Sequence, residues 1–294
     1  VQNYFDALEI WEEFEDPYYL MSGYINLAVL FDRWGDTSKA KKYFEEVIHL
    51  DSVSGDGSAT PIVLNNLATM YTDIGQYDKA KKYYLRALSE FKELAKGSSE
   101  DYSARIATIE NNLGNYYRRT GSLRLAGLYY RQSLERTTTG NKYKLMSSSH
   151  LGLSRTAMKR GDHPKARVHA HISLDLAEKS GNTERISFAY ELLRDLYAKV
   201  GDYEIAFRMD TNYLRTREKI KELAQQALVR ELEARYQNDK YLLEIENQHL
   251  ALEEKNARLE TQRTALMSVG GGMVLLLLLI GLIYNRYQLK QRTN

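Results

Sequence analysis

The sequence contains no cysteine, which excludes disulfide bonds and thiolate metal sites. It contains only three prolines, and few glycines fall inside its helix-forming stretches. Both residue types interrupt helices, so their scarcity indicates an almost wholly helical chain. We therefore predict an all-α fold.

A large excess of charge of either sign is also missing, because 41 Lys and Arg residues nearly balance 39 Asp and Glu residues and leave a net charge of +2. A dedicated nucleic-acid-binding protein normally carries a much larger basic excess, so we expect no nucleic-acid partner. Hydrophobic residues make up 43% of the 294 residues. The chain is therefore long and apolar enough to bury a substantial core.

Catalytic motifs are absent as well: the sequence has no Walker loop, GxSxG elbow, HExxH pair or Rossmann fingerprint. Lone acids such as Glu110 and Glu191 have no identifiable catalytic partner. His163, His169 and His171 are close in sequence, but residues two apart on a helix point about 200° from each other. We expect no enzyme, no metal site and no cofactor.

The sequence does contain an internal repeat, in which a glycine precedes an alanine by five residues. The steps between successive glycines are 40, 46, 40 and 40 residues. A leucine stands eight residues before each glycine, and an aromatic residue stands four before it in every copy except the fourth. The glycine–alanine pairs are Gly35 and Ala40, Gly75 and Ala80, Gly121 and Ala126, Gly161 and Ala166, and Gly201 and Ala206.

The second copy, Leu64 to Leu88, indicates what the repeat builds. Ala68 and Ala80 are spaced as close-contact points between two short antiparallel helices. Gly75 falls where the chain must reverse, which suits a residue that accepts a positive φ without steric cost. Each copy is therefore predicted to be a helix-turn-helix unit.

These columns resemble the tetratricopeptide repeat, and the resemblance covers roughly residues 21–214. The second and third copies are similar to the longer-period subtype found in kinesin light chains and bacterial signalling proteins. The resemblance implies an α-solenoid of about five repeats, with an inner groove formed by the first helix of each repeat. The fourth copy departs from the pattern, with Ala157 and Ala170 where aromatic residues are usual.

Local signals predict where individual helices begin. Residues 1–20 resemble part of a second helix, which suggests a partial repeat in a fragment or processed form and a next helix at Tyr19–Arg33. Thr60 before Pro61 predicts an N-cap, and Asp162 before Pro164 predicts another. The residues that carry the N-terminal resemblance are Tyr4, Ala7 and Leu8.

No glycine or proline occurs from Asp202 to Val269, so the last repeat helix is predicted to continue into a long helix. Residues 215–264 are rich in Glu, Lys, Arg, Gln and Leu. A heptad repeat can be written for them in which one of the two core positions is apolar and the other is mostly polar. This predicts a weak parallel homodimer, with a solvated single helix as the alternative. The apolar seam is Ile245, Leu252, Leu259 and Leu266, and the polar one is Leu242, His249, Asn256 and Arg263.

The stretch 265–284 contains no charged residue and, as a helix, matches the roughly 30 Å hydrocarbon core of a bilayer. We predict a transmembrane helix followed by a basic tail at 285–294, with a buried core helix as the alternative. Three basic residues lie on either side of the span, so charge does not decide its orientation. They are Lys255, Arg258 and Arg263 before it, and Arg286, Lys290 and Arg292 after it.

The candidate partner-binding site is the inner groove. An amide both donates and accepts hydrogen bonds, so a ladder of asparagines can bind the backbone of an extended peptide largely independently of its sequence. The alternative is that Asn66 and Asn112 only bridge adjacent helices. The ladder comprises Asn26, Asn66 and Asn112 in one column, with Asn65, Asn111 and Asn115 close by. Neighbouring columns carry cations that would favour acidic groups, namely Arg118, Arg119, Arg155 and Lys159.

The whole arrangement resembles the sensor half of membrane-bound signalling proteins of Bacteroidetes-type bacteria, most specifically in ELEARYQNDKYLLEIE at Glu231–Glu246. The resemblance implies repeats outside the inner membrane and a histidine kinase or DNA-binding output domain after the span. This chain contains no kinase motif, so phosphotransfer is implied only for a longer parent protein. A tail-anchored adapter with cytosolic repeats is the competing hypothesis, and an assembly scaffold without signalling is the third.

Overall fold

The computed structural model describes residues 5, 8, 10, 11, 16–98, 100–137 and 142–292, without the side chains at 284 and 287–292. Within these residues all regular secondary structure is α-helical, as predicted. From Pro17 onward, the helices of the described residues are α1 Pro17–Arg33, α2 Thr37–Ser54, α3 Thr60–Asp73, α4 Tyr77–Gly97, α5 Ser103–Arg119, α6 Leu123–Arg136, α7 Tyr143–Lys159, α8 His163–Lys179, α9 Thr183–Lys199 and α10 Tyr203–Arg292.

Successive helices pack in pairs, and each pair packs on the next, from α1 with α2 to α7 with α8 and then α9. The turn glycine of each repeat lies between its two helices, with φ between 77° and 86° in all five copies. The paired alanine lies just after the turn, and Ala40, Ala80, Ala126 and Ala166 are fully buried. The predicted helix-turn-helix unit is therefore present, with its close contact at the predicted alanine.

Two helix starts differ from the sequence prediction. α1 begins at Pro17 rather than at Tyr19, because the Asp16 carboxylate accepts the amides of the first turn and caps the helix. Thr60 does not cap α3 with its own side chain. The Asp51 carboxylate, at the end of α2, accepts the Ala59 and Thr60 amides and the Thr60 hydroxyl instead.

The start of α8 follows the prediction, since Asp162 Oδ1 accepts the Lys165 amide at 3.1 Å. Of the proposed N-terminal partial repeat, Tyr4 and Ala7 lie outside the described residues, whereas Leu8 is buried. A Cβ added at Gly23 of α1 would meet side-chain atoms of Leu8 and Trp11 at 2.8 Å. Glycine at this position thus allows Leu8 and Trp11 to pack closely on α1.

Tyr130 of α6 fills the space between α5 and α7. Its ring is fully buried, and its hydroxyl donates to Asn115 Oδ1 at 2.8 Å. A Cβ added at Gly114 would lie 2.6 Å from the ring, and one at Gly152 would lie 2.3 Å from it. The third and fourth repeats therefore meet across two glycines that make room for one aromatic ring.

The chain divides into two compact units, Val1–Lys221 and Glu222–Asn294. The first contains the repeats, and Ala206 and Met209 of α10 belong to its apolar core. The second is helical, and its leucines from Leu223 to Leu282, including Leu252 and Leu259, are exposed. By length and composition, α10 is apolar enough to cross a membrane, in agreement with the predicted span.

Substituting alanine at two α-helical glycines should change stability in opposite directions. Gly152→Ala places a methyl group against the Tyr130 ring, and such overpacking costs about 1–3 kcal/mol, which exceeds the gain in helix propensity. Gly127→Ala meets only Arg131 Nη1 at 3.4 Å, an ordinary contact, and should stabilise the protein by up to about 1 kcal/mol.

Urea unfolding of the full chain in neutral detergent measures both changes. Because the two substitutions add the same methyl group to neighbouring helices, each controls for the other. Equal stabilisation by both would show that Tyr130 does not occupy the space against Gly152.

Candidate partner-binding groove

Part of the predicted basic surface forms a cleft on the first helices of the third, fourth and fifth repeats. The cleft has a volume of about 240 Å³ and brings together Arg118 of α5 with Arg155 and Lys159 of α7. Lys159 Nζ also donates to the Arg118 carbonyl oxygen at 3.2 Å, which ties α7 to α5. The remaining lining residues are Met158, Glu191, Leu192 and Asp195.

The cations of this cleft are incompletely neutralised. Burial, and then the nearby charge of Arg118, lowers the pKa of Arg155, while Glu191 opposes the shift. The Arg155 guanidinium lies 5.9 Å from the centre of the Phe188 ring. Buried Arg118 Nε has no hydrogen-bond partner among the described residues. An acidic group entering the cleft would supply the missing acceptor.

Arg119 has a different role from the other predicted cations. Its guanidinium forms an ion pair with Asp73 of α3, and both side chains are exposed. It therefore connects the second repeat to the third outside the cleft. The sequence predicts that Arg118 and Arg119 both face the groove. The side chains of adjacent residues in a helix point in different directions, so only Arg118 lines the cleft.

Some of the predicted asparagines form hydrogen bonds between helices, and others lie at the surface of the groove. Asn65 and Asn111 are only 8% and 6% exposed. Asn112 Nδ2 donates to Asn65 Oδ1 at 3.0 Å, and Asn111 Nδ2 donates to Ser149 Oγ at 2.8 Å, so these amides join successive repeats. Asn115 accepts the hydroxyl of Tyr130. Asn26 is exposed and Asn66 half-buried, which leaves these two as the amides most open to a ligand.

Glu110 has a partner that the sequence did not reveal. Its carboxylate is 1% exposed, and Arg136 Nε of α6 donates to Oε1 at 2.9 Å and to Oε2 at 3.0 Å. Burial raises the pKa of Glu110, and the charge of Arg136 opposes that rise. The pair holds α5 against α6, so Glu110 is a structural residue.

Two histidines that sequence spacing did not pair meet between α7 and α8. His150 Nδ1 and His169 Nδ1 are 3.0 Å apart, so one of them donates a hydrogen bond to the other when both rings are neutral. Burial, followed by the charges of Lys165 and Arg131, lowers the pKa of His169. His171, in contrast, contacts Tyr197. The paired residues are 19 apart, so no helical periodicity could have indicated the contact.

Comparison with known proteins agrees with this geometry. Models of the tetratricopeptide repeat family match residues 59–139 and 22–53. These residues are tetratricopeptide repeats. A curated relative, anaphase-promoting complex subunit CDC16 of Saccharomyces cerevisiae, is 30% identical over 167 residues, which are 56% of this chain but only 18% of the relative's length. Tetratricopeptide repeats form protein-interaction modules, and the chain contains such a module.

Solved structures confirm the predicted tetratricopeptide fold. BtubC from P. vanneervenii is 21% identical with a TM-score of 0.61, and the match covers 75% of this chain and 90% of that one. The apo form of RapI is 18% identical with a TM-score of 0.55, over 73% and 59% of the two chains. A putative kinesin light chain of Podosopora anserina is 16% identical with a TM-score of 0.51, over 70% and 98%.

Lowering the pH should destabilise the fourth tetratricopeptide repeat through its histidine pair. Burial, and then His169, lowers the pKa of His150 to about 4, against 6.5 for an ordinary histidine. Between these values the unfolded chain binds more protons than the folded one, so the free energy of unfolding falls as the pH falls. Because solvent screens the half-buried rings, we expect a loss on the order of 1–2 kcal/mol.

His150→Gln removes this titrating group and serves as the matched variant. Urea unfolding at several pH values between neutrality and the His150 pKa should show a smaller loss of stability for the variant than for the wild type. Carboxylates titrate in both proteins, so their effect cancels when the pH dependence of the variant is subtracted from that of the wild type. A pH dependence that His150→Gln leaves unchanged would contradict the prediction.

Proposed function

We propose that this chain is a membrane-anchored tetratricopeptide sensor module that binds an extended, partly acidic segment of a partner protein. The cleft carries the proposal, because Arg118, Arg155 and Lys159 converge there and Arg118 Nε lacks an acceptor among the described residues. Glu191 on α9 favours a basic group, whereas Asp195 is paired with Arg194, so the cleft selects a segment whose acids face α5 and α7. Asn26 and Asn66 bind the backbone of the same segment further along the groove.

The proposed signal passes along α10 and through the membrane. Two chains associate through residues 215–264, and the span 265–284 carries the signal to an output domain, a histidine kinase or a DNA-binding domain, in a longer parent protein. The repeats lie on the periplasmic side of a bacterial inner membrane. The sequence around Glu231–Glu246, which resembles such signalling proteins, supports this arrangement, as does the exposed apolar seam of α10.

Charged peptides test the groove. Three fluorescent peptides of alternating sequence, Ser-Glu, Ser-Gln and Ser-Lys, are titrated against the full chain in neutral detergent and followed by anisotropy. We expect the Ser-Glu peptide to bind most tightly. The double variant Arg155→Gln and Lys159→Gln should weaken its binding roughly tenfold, because two charge-assisted contacts are lost.

The double variant Lys81→Gln and Lys82→Gln is the matched control, since it removes two exposed cations from α4, away from the cleft. Asn66→Ala should weaken the binding of all three peptides to the same extent, because an amide that binds the peptide backbone does not distinguish between side chains. An acidic preference that survives in Arg155→Gln and Lys159→Gln at full strength would place the binding site outside the cleft.

Single cysteines test the dimer, because the chain has no cysteine of its own. Leu252 lies on the apolar seam and is 56% exposed in the single chain, so burying it in a parallel pair stabilises the dimer. Under mild oxidation, Leu252→Cys should form disulfide-linked dimers several times faster than Asn247→Cys, which lies on the opposite side of the heptad. Equal rates at the two positions would rule out the proposed seam.

The same Leu252→Cys variant distinguishes the two membrane orientations. In intact bacterial cells, a maleimide that does not cross the inner membrane labels this residue only if the repeats and α10 before the span are periplasmic. Labelling that requires cell lysis supports the tail-anchored adapter instead.

A further inference from the structure

The fourth repeat lacks a stacked aromatic pair that the first three repeats contain. In each of those repeats, the ring four residues before the turn glycine stacks on the ring eight residues after it, with centroids 5.4–5.6 Å apart and planes within 11°. The pairs are Phe31 with Tyr43, Tyr71 with Tyr83, and Tyr117 with Tyr129. The fourth repeat has Ala157 and His169 at these positions. The space that one ring fills elsewhere is therefore vacant beside Ala157.

A lysine loses its aromatic partner through the same change. Lys39 Nζ lies 5.0 Å from the Phe31 ring centre, and Lys79 Nζ lies 5.3 Å from that of Tyr71. Lys165 stands at the equivalent position of the fourth repeat, four residues after the turn glycine, but Ala157 provides no ring for it. Its ammonium group thus lacks the cation–π contact that stabilises its counterparts.

A cavity of about 140 Å³, here called the fourth-repeat cavity, lies at this point between α6, α7 and α8. Gly127 of α6 forms part of its wall. The equivalent position, six residues after the turn glycine, carries Lys41, Lys81 and Arg167 in three other repeats. Two shortened side chains, at Ala157 and Gly127, therefore accompany the opening of the cavity.

Four exposed cations line the fourth-repeat cavity: Arg124 and Arg131 of α6, Arg160 just after α7, and Lys165 of α8. Within the described part of the chain, none of them forms an ion pair. Asp162 is the one carboxylate among the lining residues, and its Oδ1 accepts the Lys165 amide as the cap of α8. The four cations outnumber this carboxylate, so the cavity carries a net positive charge.

We propose that the fourth-repeat cavity binds one phosphate group, either as inorganic phosphate or as the phosphate of a phosphomonoester. Its volume corresponds to about four or five water molecules, which suits a tetrahedral oxyanion. It is smaller than the roughly 300–1,000 Å³ of pockets that enclose drug-sized ligands, so a whole nucleotide does not fit. The proposal is independent of the peptide groove, which lies on α5, α7 and α9.

The lining side chains match the geometry of phosphate. Guanidinium groups donate two parallel hydrogen bonds to a phosphate, and three of the four cations are arginines. His169 also lines the cavity, and its Nδ1 is occupied by His150. If the His150 ring donates, His169 carries its proton on Nε2, the nitrogen that remains for an anion. A bound phosphate selects this tautomer.

Calorimetric titration of the full chain in neutral detergent, at constant chloride concentration, tests the proposal. Inorganic phosphate should bind saturably with one site per chain. The double variant Arg131→Gln and Lys165→Gln should weaken that binding about tenfold or more, since two of the four cations are removed. Gly127→Met should weaken it to a similar extent by filling the cavity while keeping every cation.

The Lys81→Gln and Lys82→Gln variant is again the control, because it makes the same change in net charge in the second repeat and should bind phosphate normally. Gly127→Met also guards against misfolding, since it replaces a helical glycine with a better helix former. A parallel titration with phenyl phosphate separates the two sources: binding assigns the site to phosphomonoesters, and its absence assigns it to the free ion. No phosphate binding by the wild type, or binding as tight as the wild type's by both cavity variants, would overturn the proposal.

Discussion

The close approach of two helices at a fully buried alanine is the contact on which each tetratricopeptide repeat depends. Ala40, Ala80, Ala126 and Ala166 all occupy it, five residues after a glycine whose positive φ reverses the chain. A larger side chain there would separate the helices and expose the leucine and aromatic columns around them. The whole array repeats this one geometric solution.

Contacts between repeats are less uniform than those within them, and several are polar. Asn112 binds Asn65 across the second and third repeats, and Asn111 binds Ser149, which in turn donates to Ser133. Buried amides and hydroxyls need such partners, because an unpaired polar group in the interior costs about 1–3 kcal/mol. These bonds fix the register of one repeat on the next. They also occupy amides that a ligand would otherwise use.

The sequence predicted the features that recur with a constant period, namely the helix pairs and their turns. It did not predict contacts between side chains on different helices. Glycine, alanine and leucine recur at fixed offsets, so the helix pairs and their turns followed from spacing alone. Arg118, Arg155 and Lys159 do line one cleft, because their columns face the same side of the array, and their role in binding stays a prediction. Spacing within one helix did not reveal that Asp51 caps α3 or that Arg136 pairs with Glu110.

The asparagines show in more detail what the spacing of residues cannot predict. Asn65 and Asn66 are adjacent in sequence and equally polar, yet one is buried against the next repeat and the other is half-exposed. Which of two neighbours faces the adjoining repeat depends on the angle at which the repeats stack. The period of the sequence does not record contacts between repeats, such as that of Asn65 with Asn112 or of Tyr130 with Gly152.

The fourth repeat replaces aromatic packing with hydrogen bonds, and this explains how a cavity can persist beside it. Ser147 and Ser173 each donate to the other's carbonyl oxygen at 2.8 Å, and Ser154 donates to the Ala166 carbonyl oxygen at 2.6 Å, so α7 and α8 are joined along their length. Helices held in this way do not move together to fill the space that a missing ring leaves.

The fourth-repeat cavity is open to solvent, because the four cations that line it are all exposed. The walls of the fourth-repeat cavity are not apolar, because Arg124, Arg131, Arg160 and Lys165 line them. Exposed charged groups keep water or a counter-ion beside them, so the cavity does not carry the energetic cost of an empty apolar void. Four convergent cations repel one another, and an anion removes that repulsion more effectively than water does. The loss of one aromatic pair thus changes a packing position into a position suited to a ligand.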